Sequence, residues 1–448
     1  MKTTLYALFL LFMCALVSAC AGPAQLSSQA GTGANPQLPP PKPGLIPTVK
    51  IAPAVGWPNG ATPTPAANME ITAFAGGLDH PRWLYVLPNG DVLVAETNAP
   101  AGKSGIGGIK GWLMKKVMQR AGAAVPSANR ITLLRDSNGD GKADFRSVFL
   151  QGLHSPFGMA LIEDTLYIAN ANALLKVPYQ SGETTVTVTP AKVTDLPGKG
   201  DELNHHWTKS LLASADGSKL YVGVGSNSNI AENGMQVEHM RAAILEIDIA
   251  TGTSGVFASG LHNPVGLDWQ PDTGALWVVV NERDELGSDL VPDYLTSVRR
   301  DAFYGWPFSY YGQHLDSRVS PQNPELVARA VSPDFALGAH VAPLGLAFND
   351  GSMPGFGEGA FVGLHGSWNR QPLNGYEVVF VPFTARRPAG SIQVVVSGFV
   401  DADGNAMGRP VGVILDGRGG LLVADDVGNA IWRVTSASTP LIELDRHN

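Results

Sequence analysis

Six short apolar runs recur along the chain, and each directly follows a turn rich in Gly, Asp, Asn or Pro. Runs of this length that are rich in β-branched residues favour strands. They lie roughly 55 to 85 residues apart, a spacing that accommodates four-stranded propeller blades and exceeds common solenoid repeats. The pattern predicts an all-β fold, a six-bladed β-propeller with four-stranded antiparallel blades. The runs are DVLVAET from Asp91, TLYIANA from Thr165, KLYVGVG from Lys219, ALWVVVN from Ala275, GAFVGLH from Gly359 and GLLVADD from Gly420.

One basic side chain precedes each run. The innermost strand of every propeller blade lines a central channel, so equivalent positions in the six blades should project toward one axis. A single such residue could equally cap or orient a strand, but its recurrence in all six repeats favours a basic funnel within a protein whose formal charge is −8. The six residues are His80, His154, His206, His262, His340 and Arg409.

The N-terminus has the layout of an export signal. A lysine is followed by an apolar run of about 15 residues, too short for the roughly 20 that cross a bilayer. The run ends in VSAC, which resembles the bacterial lipobox. Residues 1–19 are therefore predicted to be a lipoprotein signal peptide and Cys20 a lipidation site, with acyl chains anchoring the protein to a membrane. Ala21 resembles the pattern of proteins sent to the outer membrane, so the predicted location is the periplasmic side of that membrane.

Residues 20–67 are rich in Pro, Gly, Ser and Thr. This composition predicts a poorly ordered linker that acts as a stalk. The propeller domain is expected at residues 68–438, where a chain that is 44% apolar supplies ample core. The only other cysteine, Cys14, lies in the signal, so no internal disulfide is expected. The net negative charge and the lack of a basic stripe interleaved with aromatics disfavour nucleic acid as a partner.

Two segments between the first and second runs have local signatures. The insertion at residues 103–122 mixes apolar and basic residues at the spacing of a short amphipathic helix. A helix packed over the propeller face is favoured there, and contact with a membrane or an electron acceptor is the alternative. The sequence DSNGDGKAD, from Asp136 to Asp144, has oxygen-bearing residues at alternate positions. It favours a hairpin turn, with weak calcium binding as the alternative.

Four longer stretches carry a family resemblance: GLHNPVGLDW, NERDELGSDLVPDYLTSV, YGWPFSYYG and GLHGSWNRQPLNGYEVVFVPF. They resemble the glucose/sorbosone dehydrogenase family, six-bladed propellers that use pyrroloquinoline quinone (PQQ) and calcium, and are closest to its sorbosone dehydrogenase branch. The likeness covers nearly all of residues 74–434. It implies oxidation of a sugar hydroxyl, hemiacetal or aldehyde by hydride transfer to the quinone. A soluble or membrane electron acceptor would then reoxidise the cofactor.

The resemblance also implies site residues. His206 falls where the family has its catalytic base, and its ordinary pKa near 6.5 suits proton acceptance. Asp201, Glu202 and His205 are close enough in sequence to orient it. Calcium would be held by the loop that contains Glu285, Gly287 and Asp289, since calcium prefers carboxylate and carbonyl oxygens. The residues expected to bind the cofactor are His154, Lys209, His262, Asn263, His365, Arg370 and Arg409.

Two positions depart from the family pattern. His205 stands where the family often has Asp, and His262 stands where related sugar dehydrogenases have Arg. Because an imidazole grips a carboxylate less firmly than a guanidinium does, cofactor affinity could be lower. Two other functions stay open. One is a non-catalytic propeller that binds a carbohydrate or a protein. The other is a calcium-dependent lactonase in which His206 activates water.

Overall fold

The computed structural model describes residues 22–27, 29–44, 48–101, 116–200 and 202–437. The predicted signal peptide, Cys20 and most of the basic insertion lie outside these residues. Strands dominate the described chain, and most of them form five four-stranded antiparallel sheets and one six-stranded sheet, which is a four-stranded blade with two short strands added. Among the described residues, no helix has both the length and the apolarity needed to cross a bilayer. The predicted six-bladed propeller is confirmed.

The strands are numbered along the chain. Two precede the first blade, β1 (Thr64–Pro65) and β2 (Met69–Ala75). Blade one contains β3 (Pro81–Val86), β4 (Val92–Glu96), β5 (Arg130–Arg135) and β6 (Phe145–Gln151). Blade two contains β7 (Met159–Ile162), β8 (Thr165–Ala169), β9 (Ala173–Pro178) and β10 (Ala191–Asp195). Blade three contains β11 (Leu211–Ala213), β12 (Lys219–Val224), β13 (Ala243–Asp248) and β14 (Ser254–Ser259).

Blade four contains β15 (Asn263–Trp269), β16 (Leu276–Asn281), β17 (Pro292–Val298) and β20 (Phe335–Ala339). Between its last two strands lie β18 (Ser309–Tyr310), β19 (His314–Leu315) and the helix α1 (Pro324–Arg329). Blade five contains β21 (Pro343–Phe348), β22 (Gly359–Leu364), β23 (Glu377–Thr384) and β25 (Gln393–Ser397), with β24 (Arg387–Pro388) beside β23. Blade six contains β26 (Pro410–Leu415), β27 (Gly420–Asp425) and β28 (Ala430–Ser436), and β2 completes it.

The ring is closed by strands from both ends of the domain. The early strand β2 pairs antiparallel with β28, from Met69 opposite Ser436 to Ala75 opposite Ile431. The last blade therefore takes its outer strand from the N-terminal side, and its ladder joins the two ends of the propeller. A closed ring leaves few sheet edges exposed to other chains.

The six apolar runs form the second strand of each blade, namely β4, β8, β12, β16, β22 and β27. These strands are almost wholly buried because both of their faces pack against neighbouring blades. Three of the innermost strands, β15, β21 and β26, carry a Pro-x-Gly pattern, and the glycine is needed where adjacent blades meet. A Cβ on Gly345 would lie 2.4 Å from Val411 O, and one on Gly412 would lie 2.8 Å from Arg82 O.

Residues 22–67, called the strap below, lie along the propeller. Backbone hydrogen bonds join the strap to loops of blades four, five and six, Ala52 is fully buried, and β1 pairs with β25 at the edge of blade five. The prediction of a disordered stalk is therefore wrong for the described part of this segment. Extended proline-rich chain makes few internal hydrogen bonds, so its amides can pair with the loops it crosses. Such bonds run from Lys42 N to Leu286 O, from Lys50 N to Trp368 O and from Val55 N to Ala406 O.

The two segments between β4 and β6 have simple outcomes. Residues 116–120 are helical, and Arg120 O accepts a hydrogen bond from Ala54 N at 2.8 Å, so this end of the insertion packs on the strap. The predicted hairpin turn is confirmed. The Asp136 carboxylate accepts hydrogen bonds from the amides of Gly139, Asp140 and Gly141 between β5 and β6.

Candidate functional site

The six basic residues lie at one face of the propeller, where five of them fall into three groups. Each of them comes just before an innermost strand, so all six lie at the face where those strands begin, called the upper face below. Because neighbouring strands run antiparallel, the residues that directly follow each second strand reach the same face. The upper face thus collects two sets of side chains in every blade.

The first cluster, called the imidazole pair, consists of His206 and His262. Their ring centroids are 5.0 Å apart, and the rings are nearly perpendicular. His205 lies beside them, 4.7 Å from the His206 ring. The side chain of Asn263 comes near His206 across Gly225, since a Cβ on Gly225 would lie 2.3 Å from Asn263 Oδ1 and 2.5 Å from His206 Cβ. Glycine at position 225 is therefore required for this approach.

Carbonyl groups fix the tautomers of the imidazole pair. His206 Nδ1 faces Ser226 O at 2.8 Å, and His262 Nδ1 faces Asn281 O at 2.8 Å. A carbonyl oxygen only accepts, so each Nδ1 carries the proton and each neutral ring keeps its lone pair on Nε2. Burial, followed by the neighbouring imidazoles, holds the pKa of His206 well below its ordinary value. Burial also lowers the pKa of His262.

The second cluster, called the Asp426 cluster, is ionic. Asp426 Oδ2 accepts hydrogen bonds from Arg82 Nη1 at 2.8 Å and His365 Nε2 at 3.0 Å, and it lies 3.5 Å from His80 Nε2. Arg409 belongs to the same cluster, and its guanidinium lies over the Tyr376 ring at 5.0 Å. Burial lowers the pKa of His80 to about 4 and also lowers the pKa of His365. One guanidinium group, that of Arg82, therefore pairs with the Asp426 carboxylate, and the lowered pKa values keep His80 and His365 neutral.

Several buried atoms around this centre have no hydrogen-bond partner among the described residues. They are Arg82 Nε, His80 Nε2, Arg409 Nε, Asp426 Oδ1, His262 Nε2 and Asn263 Oδ1. A buried polar atom without a partner costs free energy, about 1–3 kcal/mol per group. So many of them on one face indicate a binding site for a polar ligand. The donors are suited to carboxylates, which PQQ carries, so the residues present fit that cofactor.

Trp207 connects the two clusters. It follows His206 directly in the chain, and the Arg82 guanidinium carbon lies 5.8 Å from the centroid of its ring. The ring also contacts Phe157, at 5.9 Å between centroids. Trp207 therefore joins the chain segment that carries His206 to the Arg82 side of the Asp426 cluster.

The loop after β16 forms a third group. Asp284 Oδ1 accepts a hydrogen bond from Asn369 Nδ2 at 2.5 Å and lies 3.4 Å from His340 Nδ1, while His340 Nε2 donates to Gly287 O at 3.0 Å. The carboxylate raises the pKa of His340 against the effect of burial. A cavity of about 20 Å³, close to the space one water molecule needs, lies between this loop, Asn369 and the strap residue Thr48.

The donors around this cavity are suited to calcium. Glu285 and Gly287 line it, and Asn369 Oδ1 is buried without a hydrogen-bond partner in the described structure. No group of three His, Cys, Asp or Glu side chains among the described residues could hold a metal ion by itself. Calcium also accepts amide and backbone carbonyl oxygens, so the mixed set of Glu285, Gly287 and Asn369 fits that ion.

Some predicted site residues lie elsewhere. The Asp289 carboxylate accepts hydrogen bonds from the amides of Gln25 and Leu26 in the strap, which removes it from the proposed calcium set. Arg370 donates to Ser288 O and Pro372 O and thereby holds a loop. His154 is exposed and is not brought together with the other basic residues.

Two predictions for residues near His206 need correction, the cofactor contact of Lys209 and the orienting role of Asp201 and Glu202. Lys209 is fully buried, and its ammonium group donates to Asn204 Oδ1 and Trp207 O. It therefore holds the loop that carries His206 rather than facing a cofactor. Glu202 accepts from the amide of Gly198, and Asp201 lies outside the described residues. His206 is oriented instead by Ser226 O, because the chain after β12 passes directly beside its ring.

Four functional residues were missed by sequence reasoning: Arg82, Ser226, Asp284 and Asp426. Three of them come shortly after a second strand, whereas the repeating basic residue was sought only before the innermost strands. The regular spacing of the second strands was a signal that could have found Ser226 and Asp426. Arg82 lies inside β3, two residues after His80.

Comparisons with known proteins agree with this architecture. The model of the family described as TrAA12-like matches residues 125–295 and 315–437, more than half of the chain. An uncharacterized protein of Borreliella burgdorferi is 27% identical over 300 residues, which cover 63% of this chain and 76% of that protein. A pyrroloquinoline quinone-dependent pyranose dehydrogenase of Coprinopsis cinerea is 31% identical over 134 residues, 26% of this chain and 18% of that protein. The match thus spans less than a fifth of the fungal enzyme.

Solved structures share the fold. The holo form of the PQQ domain of the pyranose dehydrogenase from Coprinopsis cinerea has a TM-score of 0.67 at 20% identity, over 86% of this chain and 100% of that domain. The calcium structure of a family AA12 carbohydrate-active enzyme from Trichoderma reesei has a TM-score of 0.66 at 19% identity, over 87% and 99% of the two chains.

Proposed function

This chain belongs to the TrAA12-like family, and from that premise we propose that it is a PQQ- and calcium-dependent dehydrogenase that oxidises a sugar. The observation that carries the proposal is the imidazole pair with its tautomers fixed, next to a cluster of unpaired cationic donors. The first arrangement suits removal of a proton and the second suits binding of carboxylates. The names of the Coprinopsis and Trichoderma proteins support the same cofactor and metal.

The chemistry that bound PQQ supplies is acceptance of a hydride at a quinone carbonyl. Arg409 would bind a carboxylate of the cofactor, and Asn263 would hydrogen-bond it. Calcium, held by Glu285, Gly287 and Asn369, would polarise the carbonyl as a Lewis acid. These residues would hold the cofactor in place and balance its charge. The histidines would handle the proton of the substrate hydroxyl.

His206 is the proposed base. Its Nδ1 already donates a hydrogen bond to Ser226 O, so Nε2 is the atom that takes the proton from the substrate hydroxyl. The hydride leaves the carbon that carries this hydroxyl. The product is the carbonyl or lactone, and the proton remains on Nε2 until it passes to solvent. The lowered pKa of His206 keeps the ring neutral, and therefore ready to accept a proton, at neutral pH.

The setting of the enzyme is also a proposal. A soluble or membrane acceptor would collect the two electrons, and Cys20 would tether the protein by lipid to the periplasmic side of the outer membrane. The export layout of residues 1–19 supports this part. Metabolic labelling with a fatty acid tests it, because the label should be lost in Cys20→Ser.

The test of the catalytic proposal is dye reduction by the purified protein with PQQ, calcium and a panel of aldoses. We expect turnover only with both additions. His206→Ala should lower kcat about 10²- to 10⁴-fold, the range for a lost general base, with PQQ affinity retained. His205→Ala is the matched control, since that ring neighbours His206, and it should retain most of the activity.

Other outcomes would replace the proposal. PQQ binding without turnover on any aldose would favour a binding propeller. Cleavage of lactones with calcium alone would favour hydrolysis by water that His206 activates.

A further inference from the structure

Asp426 has an unusual division of contacts. Its Oδ2 receives two hydrogen bonds, from Arg82 at 2.8 Å and His365 at 3.0 Å, whereas its Oδ1 has no hydrogen-bond partner among the described residues. The side chain is only 2% exposed. A buried carboxylate oxygen left in this way calls for a hydrogen-bond donor from outside the protein.

The groups around Oδ1 limit what this donor can belong to. Arg82 Nε and His80 Nε2 also lack partners, so a donor group for Asp426 would lie next to acceptor groups for Arg82. A carboxylate cannot donate to Asp426 and would be repelled by it. A hydroxyl both donates and accepts, and two adjacent hydroxyls satisfy a carboxylate and a guanidinium together.

We propose that Asp426 and Arg82 form a specificity subsite that binds adjacent hydroxyls of the sugar, on the side of the ring away from the carbon that reacts. This inference rests on the proposed function and deepens it. One hydroxyl donates to Asp426 Oδ1, and its neighbour accepts from Arg82 Nε. Arg409 is left to hold a carboxylate of the cofactor.

The position of the subsite fits a sugar ring. The Arg82 guanidinium lies 5.8 Å from the ring centroid of Trp207, and Trp207 is next in the chain to the proposed base His206, so one residue links the subsite to the base. Arg82 and His365 keep 11% and 18% of their side chains exposed, so the cluster borders the open part of the upper face. Against the effect of burial, the imidazole and guanidinium groups around Oδ2 lower the pKa of Asp426, which keeps it an ionised acceptor.

Asp425 is a built-in control. This neighbouring carboxylate is equally buried, but it accepts hydrogen bonds from Trp57 Nε1 at 2.7 Å, Trp432 Nε1 at 3.0 Å and the amide of Arg409 at 2.8 Å. Its role is to hold the strap and blade six together. Asp425→Asn should therefore lower stability without changing the choice of sugar.

The experiment compares kcat/KM for the best aldose and its monodeoxy analogues in the PQQ-loaded parent, Asp426→Asn and Asp425→Asn. In the parent, kcat/KM should be about 10- to 100-fold lower for one analogue that lacks a hydroxyl away from the reacting carbon. This is the effect expected from the loss of one hydrogen bond to a charged group. Asp426→Asn should reduce that loss to less than threefold, while its affinity for PQQ stays within threefold of the parent. Asp425→Asn should keep the full loss.

Three results would overturn the subsite. The first is a parent protein that has the same kcat/KM for every deoxy analogue. This result would overturn the subsite even if Asp426→Asn fails to fold. The second is an Asp426→Asn variant that keeps the discrimination. The third is one whose PQQ affinity falls tenfold or more while the discrimination persists, which assigns Asp426 to the cofactor.

A failure of the proposed function can be recognised separately. If the parent oxidises no sugar, saturation-transfer NMR of the aldoses with the protein alone still tests the subsite. A contact with a sugar hydroxyl that is lost in Asp426→Asn supports the subsite, and the absence of any contact removes both ideas.

Discussion

The imidazole pair and the Asp426 cluster both contain histidines at the upper face, but different groups hold these histidines. In the imidazole pair, backbone carbonyls hold His206 and His262, and both rings are neutral. In the Asp426 cluster, a carboxylate holds His365 together with Arg82. A histidine supported by a carbonyl keeps a free lone pair without an ion-pair partner, which suits proton transfer. Histidines packed among arginines and a carboxylate form a charged site that suits a polar ligand.

The comparison shows that one basic residue per blade does not imply six equivalent roles. The residue just after the second strand of a blade decides the role, because it faces the imidazole from the neighbouring position. Ser226 O leaves Nε2 of His206 free, as the proposed base requires, whereas Asp426 holds Arg82 and His365 in the proposed binding group.

The largest expected effect breaks the imidazole side alone. Gly225→Ala places a methyl group 2.5 Å from His206 Cβ and 2.3 Å from Asn263 Oδ1, so both side chains must move. A displacement of about 1 Å at a reacting group costs on the order of 10²-fold in rate. We expect kcat/KM in dye reduction to fall by that factor, with a smaller loss of PQQ affinity because Asn263 also moves. Gly255→Ala, where a Cβ meets nothing within 4 Å, is the control. Equal activity in both variants would contradict this geometry.

The next effect breaks the other side. Arg409→Gln removes a buried guanidinium whose Nε has no partner among the described residues. Loss of a charged hydrogen bond should weaken PQQ binding by the apo protein about 10- to 100-fold, measured by calorimetric titration. Arg370→Gln should leave the affinity unchanged, since Arg370 binds protein carbonyls. Arg370→Gln with the same loss as Arg409→Gln would restore the sequence-based assignment.

The smallest effect sharpens the contrast through pH. Burial and the neighbouring imidazoles lower the pKa of His206, and the base works only when unprotonated. Activity should therefore persist as pH falls through 6.5 and be lost only below it, as the ring takes up a proton. The profile of kcat/KM against pH, with circular dichroism to follow folding, measures this. An acid limb centred at or above pH 6.5 would show that the ring is not desolvated.

The fold could be predicted because a propeller repeats. Six copies of the same turn and strand gave six independent observations of one pattern, and the closing strand β2 was the part with no repeat to reveal it. His206, His262 and Arg409 could be found because their places are tied to that repeat, whereas Asn263 and His365 were found through the family resemblance.

The remaining site residues depend on contacts that no local pattern records. Asp289 and Arg370 were assigned by their loops, yet the strap and the backbone of neighbouring loops bind them. The strap itself has the composition of a disordered chain, and its order comes from hydrogen bonds to residues more than 200 positions away, such as the one from Lys42 N to Leu286 O. Composition describes what a segment can do alone and says nothing of the surface on which it lies.

The start of the strap sets an orientation. Gly22 O accepts a hydrogen bond from Ser288 Oγ at 2.9 Å, and Ala24 N donates to Gln371 O at 2.7 Å, so the chain enters the domain at the upper face. Only Ala21 separates Cys20 from Gly22. Acyl chains on Cys20 would consequently hold the upper face close to the lipid headgroups. Sugar would have to enter sideways through the thin aqueous layer, and a lipid-soluble electron carrier would meet the reduced centre at close range.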